Sequence, residues 1–154
     1  MGSSCPIEVR LEPLQKLWLD AVLEVEGRAY AHPWSRQHFL DTIDAGYLSQ
    51  VLLAQDTVLG YFVAMQGFEE VHLLNITVAP PYQRQGWARI LLDALLLWAR
   101  GCSAQWVWLE CRVGNERALR VYEACGFSTQ GRRKDYYPAQ AGQREDALVM
   151  GLKL

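Results

Sequence analysis

From Val78 to Arg89 the chain reads Val-Ala-Pro-Pro-Tyr-Gln-Arg-Gln-Gly-Trp-Ala-Arg: an apolar strand end, two prolines, a polar loop and a glycine that opens a helix. The first amides of such a helix have no carbonyl partners within it, and the helix dipole adds partial positive charge there. Gly86 has no Cβ, so a bulky anion can approach the backbone, and Ala88 keeps the next turn narrow. Arg84-Gln85-Gly86-Trp87-Ala88-Arg89 is therefore a ready site for a pyrophosphate, although an ordinary strand-to-helix connection has the same outline. The chain carries neither the GxxxxGK[ST] loop nor the GxGxxG of a dinucleotide fold.

Two further residues can move protons. Glu110 follows the apolar run Trp106 to Leu109, and burial there would raise its carboxyl pKa toward the range of a mild base. A solvated glutamate paired with Arg112 is the competing reading. Tyr122 is expected on the inner face of a short helix capped by Asn115. Its phenol, with a pKa of about 10, is a proton donor or simply a core aromatic.

These groups need strands and helices to hold them. Ser4 to Leu11 reads as a strand, with Ile7, Val9 and Leu11 alternating. Pro13 suits the first turn of a helix from Leu14 to Arg28, with Leu14, Leu17, Trp18, Val22 and Val25 on one side. Ser35 caps a second helix through Ile43, ended by Gly46. Strands follow at Leu48–Gln55, Leu59–Phe68 and Val71–Ala79, with turns at Asp56-Thr57 and Glu69-Glu70. The helix Gln85–Arg100 presents Leu91, Ala94, Leu95 and Trp98, widened by Leu92 and Leu96, and Gly101 is its expected cap. A strand Gln105–Arg112 and the Asn115 helix come next, the latter closed by Gly126-Phe127. Strands Phe127–Arg133 and Asp146–Leu152 end the chain, with Tyr136-Tyr137-Pro138 in the loop between them. The order β-α-α-β-β-β-α-β-α-β-β predicts a mixed sheet with helices on both faces.

The 154 residues suit one domain, 1–154, with one sizeable core. Apolar residues make up 51% and charged residues 21%, and the net charge of −2 argues against a general nucleic-acid or membrane binder. The N-terminus lacks the basic and apolar regions of a secretory signal, so a cytoplasmic location is the default. Four cysteines and three histidines form neither CxxC nor HxxxH, so no metal site is expected.

The segment Gln83-Arg84-Gln85-Gly86-Trp87-Ala88 resembles the [RQ]xxGx[GA] motif of the GNAT acetyltransferases, and the order of elements matches that family over nearly the whole chain. His32-Pro33-Trp34-Ser35, Leu74-Asn75-Ile76-Thr77-Val78, Trp108-Leu109-Glu110-Cys111-Arg112, Asn115, Leu119-Arg120-Val121-Tyr122-Glu123, Gly126-Phe127, Arg132-Arg133, Tyr136-Tyr137-Pro138 and Arg144-Glu145-Asp146-Ala147 further resemble the RimI family. Its members acetylate the N-terminal alanine of one small-subunit ribosomal protein in bacteria.

That resemblance implies an α/β (α+β) fold whose mostly antiparallel sheet has a bulged strand splaying from its neighbour. It implies acetyl-CoA as co-substrate and a ribosomal-protein N-terminus as partner. A monomer is expected, without direct nucleic-acid or membrane contact. It makes Glu110 the base and Tyr122 the acid. Ile76, Thr77 and Val78 pair with the pantetheine arm, and backbone donors near Thr77-Val78 meet the oxyanion. Arg84, Gln85, Gly86, Trp87, Ala88 and Arg89 take the pyrophosphate, and Asn115 binds further along the arm. Tyr136-Tyr137-Pro138 would wall the acceptor groove. Trp34 reads as a core plug or a substrate contact. Glu69-Glu70 reads as a solvated turn or, with Asp135, as a dock for a basic tail.

Two residues depart from the pattern: Trp87 is large for its place, and Cys111 should face away from Glu110, which excludes it as a nucleophile. Two other functions keep the same fold: transfer to another protein N-terminus, a lysine or a small amine, or acyl-CoA binding without turnover. The presence of both Glu110 and Tyr122 counts against the last.

Overall fold

The computed structural model describes residues 8–154; the expected strand residues Ser4 to Ile7 lie outside them. Seven strands form one sheet in the order β1-β2-β3-β4-β5-β7-β6. They are β1 (Arg10–Pro13), β2 (Leu48–Ala54), β3 (Thr57–Gly67), β4 (Glu70–Val78), β5 (Trp106–Arg112), β6 (Ser128–Pro138) and β7 (Arg144–Lys153). The helices are α1 (Leu19–Ala29), α2 (Arg36–Asp44), α3 (Trp87–Gly101) and α4 (Glu116–Ala124). Every strand pair is antiparallel except β4 and β5.

Alternation along β2 and β3 sends side chains to two cores. Val51, Leu53, Tyr61 and Val63 pack with Leu19, Val22 and Phe39 under α1 and α2. Leu52, Phe62 and Ala64 pack on the other face with Leu91, Leu92, Leu95 and Leu96 of α3, and Val121 and Tyr122 of α4 lie against that core. Helices thus cover both faces, as the element order predicts. No helix of the described residues is long and apolar enough to cross a membrane.

The splay is present. β4 and β5 pair only from Glu70↔Trp106 to His72↔Trp108. Just beyond, β4 carries a bulge: Val63 faces Asn75 and Ala64 faces Leu73, which leaves Leu74 without a partner. From there to Val78, β4 has lost its neighbour on that side and a gap opens.

Several expected boundaries move, each for a physical reason. Pro13 ends β1 opposite Gln50 rather than opening a helix; β1 is an edge strand, where a missing N–H is tolerated. A 3-10 turn at Lys16–Trp18 precedes α1 and shifts its phase. Leu17 is therefore 69% exposed, and the buried stripe is Leu19, Val22 and Glu26. On α3 the fully buried line runs through Leu91, Leu92, Leu95, Leu96 and Ala99, with Ala94 and Trp98 at its margin. Gly101 stays helical; Ser103, at φ 59°, takes the left-handed position, and Ala104 N donates to Ala99 O. Tyr136-Tyr137-Pro138 belong to β6, not to the loop. The two tight turns shift by a residue, with Gln55 and Glu69 left-handed and Glu70 already in β4. The other caps fall as expected: Ser35 Oγ accepts from His38 N, and Gly126 at φ 105° lets Phe127 N reach Tyr122 O.

Gly60 sits opposite Val78, where β4 borders the gap, and a Cβ there would lie 2.5 Å from the Thr77 carbonyl oxygen. Gly60→Ala should destabilise the fold by about 1–3 kcal/mol through overpacking against backbone, measured as a lower urea midpoint with unchanged slope.

Candidate active site

The groove along the splayed strand begins with backbone direction. Ala79 N donates to Leu59 O on β3 at 2.8 Å. Alternation then turns the main-chain groups of Val78 and Ile76 away from β3, into the gap. Two contacts agree with that: Gln83 Nε2 donates to Val78 O at 3.0 Å, and Tyr30 Oη donates to Ile76 O at 3.0 Å. The same alternation returns the Thr77 amide to β3. Thr77 is buried, with its hydroxyl bonded to Asn75 and Tyr30, so Val78 rather than Thr77 offers an amide to the gap.

The groove continues to the start of α3. Arg84 at φ 63° and Gly86 at φ 91° bend the loop into the helix. Side chains cap α2 and α4, but none caps α3, so the amides of its first turn stay available. The position of a Gly86 Cβ is open space, which suits close approach by an anion. Arg84, Gly86, Trp87, Ala88 and Arg89 line this groove. Gln85 Oε1 instead accepts from Trp87 Nε1 at 3.1 Å, which turns the large indole onto its neighbour. The Arg89 side chain also turns away, bonding Asp93 and Ala124 O, which leaves its backbone amide to face the loop. Arg117 supplies a cation the sequence reading missed; its guanidinium holds Gln83 Oε1 at 2.7 Å.

A second cavity lies on the β5 side of the gap, lined among others by Trp34, Leu74, Glu110, Tyr137 and Pro138. Glu110 is not buried as expected. Its side chain is 25% exposed and pairs with Arg133 Nε at 3.3 Å, a contact that reaches β6 across the intervening β7. Arg112 does not compete for it: it pairs with Glu145 at 3.1 Å, donates to Pro138 O at 2.8 Å and lies over the Tyr137 ring. A hydrogen bond to Glu110, then burial, hold the Tyr136 phenol above its usual pKa. Trp34 is half-buried: it stacks on His38, packs near Phe39 and lines the cavity. Cys111 is buried in the α3 core, and burial pushes its thiol up to about 11, so it stays protonated. Neither Glu69 nor Glu70 lines either cavity.

The two cavities share Tyr30, Ile76, Asn115 and Tyr122. Asn115 caps α4, its Oδ1 accepting from Ala118 N at 3.2 Å. Burial, then the nearby Cys111, raise the Tyr122 phenol well above its usual value, so it is a neutral donor at any ordinary pH.

Behind this junction lies a polar network that the sequence reading did not find. Glu26 is 2% exposed and accepts from Tyr61 Oη at 2.6 Å, Asn75 Nδ2 at 3.1 Å and Trp34 N at 2.9 Å. Asn75 Oδ1 accepts from Thr77 Oγ1 at 2.8 Å, and Thr77 Oγ1 lies 2.8 Å from Tyr30 Oη. The signal was a carboxylate on the apolar stripe of α1, four residues after Val22, where an unpaired charge is costly.

A helix start with bare amides, a strand edge freed by a splay and a buried phenol where two cavities meet suit an enzyme that holds a phosphate-tailed acyl carrier against an acceptor. The chain belongs to the acetyltransferase (GNAT) family, whose model matches residues 16–127. It is 36% identical over 146 residues, 94% of this chain and 99% of the relative, to the [ribosomal protein bS18]-alanine N-acetyltransferase of Haemophilus ducreyi. The Salmonella typhimurium enzyme of the same name is 37% identical over 88% of this chain and 91% of its own. The crystal structure of the ribosomal-protein-S18-alanine N-acetyltransferase from Escherichia coli superposes with a TM-score of 0.88 at 34% identity, covering 95% of this chain and 94% of that one.

Asn115→Asp keeps a capping oxygen but loses the amide donors. It should leave the urea midpoint near wild type and weaken acetyl-CoA binding about tenfold by calorimetry. Equal affinity would reduce Asn115 to a cap.

Proposed function

We propose that this chain transfers the acetyl group of acetyl-CoA to the α-amine of the N-terminal alanine of ribosomal protein bS18, the acceptor named for its relatives. The observation that carries the reading is the meeting of a coenzyme groove and an acceptor cavity at Tyr30, Ile76, Asn115 and Tyr122. The amides at the start of α3, from Gly86 to Arg89, hold the pyrophosphate, with Arg84 and Arg117 beside them. The gap-facing main chain of Ile76 and Val78 pairs with the pantetheine arm, and Asn115 bonds further along it. Gln83 leaves Val78 O when the arm binds. The Val78 amide donates to the oxyanion as the amine attacks the acetyl carbon.

Glu110 takes the proton of the amine. A free α-amino group has a pKa of about 8, so a mild base suffices, and one carboxylate oxygen stays on Arg133. The other carboxylate oxygen is left to meet the substrate amine. Tyr122 gives its proton to the departing thiolate. Its raised pKa would make the transfer uphill toward a thiolate in water. The same dry surroundings also raise the thiol pKa, so the difference between the two narrows. Tyr137 and Pro138 form a wall of the acceptor cavity from β6, while Tyr136 is not in its lining.

The acceptor is tested with acetyl-CoA and peptides that differ only in the first residue. Alanine-start peptides should react fastest, and equal rates on free polyamines would refute the assignment. Tyr122→Phe and Glu110→Gln should each lower kcat about a hundredfold or more, with coenzyme affinity within about twofold. Unchanged rates in both would remove the two roles. The pH profile follows from the same groups. The neutral phenol is the donor and persists below its raised pKa. Accordingly kcat/KM should rise through the amine pKa of about 8 and show no falling limb up to about pH 10.

A further inference from the structure

The hydrogen-bond chain behind the junction has a direction. Three donors point at the Glu26 carboxylate, and one is Asn75 Nδ2, which fixes the Asn75 amide with its oxygen toward Thr77. Thr77 Oγ1 lies 2.8 Å from that oxygen, an acceptor only, so the one Thr77 proton is committed to Asn75. Tyr30 Oη therefore cannot receive a proton from Thr77. It must donate its own inward, to Thr77 Oγ1 at 2.8 Å or Ile76 O at 3.0 Å. The Tyr30 oxygen keeps its lone pairs, and they are what it offers the cavity. Tyr30 is 39% exposed and lines both cavities. Of the other groups the cavities share, Tyr122 is a donor, the Asn115 oxygen is engaged in capping, and the Ile76 carbonyl already faces the Tyr30 phenol at 3.0 Å.

We propose that Tyr30 holds one N–H of the attacking amine, its own proton kept inward by the chain Thr77–Asn75–Glu26. An attacking amine needs two N–H acceptors while its lone pair faces the acetyl carbon. Glu110 is the one that removes a proton; Tyr30, on the α1 side of the gap, is the one that only orients. Glu26 and Asn75 are positioning residues that act through Tyr30. The inference rests on the amine-acetylation reading above and adds the group that aims the nucleophile.

The test is steady-state kinetics on an alanine-start peptide, with acetyl-CoA affinity measured separately by calorimetry. Tyr30→Phe keeps the ring and removes the acceptor. It should raise the KM for the peptide about tenfold, the worth of one hydrogen bond, and leave coenzyme affinity within about twofold. Glu26→Gln should act in the same direction. A glutamine that still accepts from Trp34 N must turn its NH2 toward Asn75. That flips the Asn75 amide and frees the Thr77 proton to fill the Tyr30 lone pair. A folded Glu26→Gln with raised peptide KM and normal coenzyme affinity supports the chain. One with lower Tm and unchanged peptide KM makes Glu26 structural and overturns it. Tyr30→Phe decides by itself where Glu26→Gln does not fold: an unchanged peptide KM, or a loss confined to coenzyme affinity, overturns the proposal. Wild-type turnover is the control. Its absence would defeat the proposed function and this inference together, whereas normal wild-type turnover with a silent Tyr30→Phe defeats this one alone.

Discussion

The structure depends on a pairing that stops. β4 and β5 pair over Glu70–His72 and Trp106–Trp108 and then part, and a bulge at Leu74 follows just beyond the last pair. A buried backbone amide without a partner is unfavourable, so a strand leaves its neighbour only where something else satisfies it. Here the carbonyls of Ile76 and Val78 are met by the side chains of Tyr30 and Gln83. The parting also separates Glu110 from β4 by the width of the gap. One interrupted ladder thus makes the groove, exposes its hydrogen-bonding edge and sets the base across from it.

Much of this was legible in the sequence because periodicity is local. The order of elements, the Ser35 and Asn115 caps and the Gly126-Phe127 ending each depend on residues a few positions apart. β6 was cut short because it is an edge strand exposed along nearly its whole length, so it has no alternation to read. The stripe of α1 lies about one residue on from the periodic pattern because the 3-10 turn before it winds the chain by a tighter period.

The candidate site divides on the same line. The Gly86 segment and Tyr122 could be placed by their own neighbours. The partner of Glu110 could not, because Arg133 reaches it through the pairing of β6 with β7 and β7 with β5, which no spacing encodes. Glu26 was visible as a charge on an apolar stripe, but its meaning came from Tyr61 on β3 and Asn75 on β4. A buried carboxylate is tolerable only when its acceptor positions are filled, and three different elements combine to fill them.

The coenzyme groove and the acceptor cavity touch at four residues and otherwise draw on different parts of the chain. The groove belongs to the end of β4, the loop into α3 and the face of α4. The cavity belongs largely to the middle of β4, β5, the α1–α2 connection and the β6–β7 hairpin, which Arg112 and Glu145 pin to β5 from outside the groove. This makes the scaffold modular over evolutionary time. Substitutions in the hairpin or the α1–α2 connection can exchange one acceptor for another while the machinery that loads and cleaves the thioester is inherited unchanged.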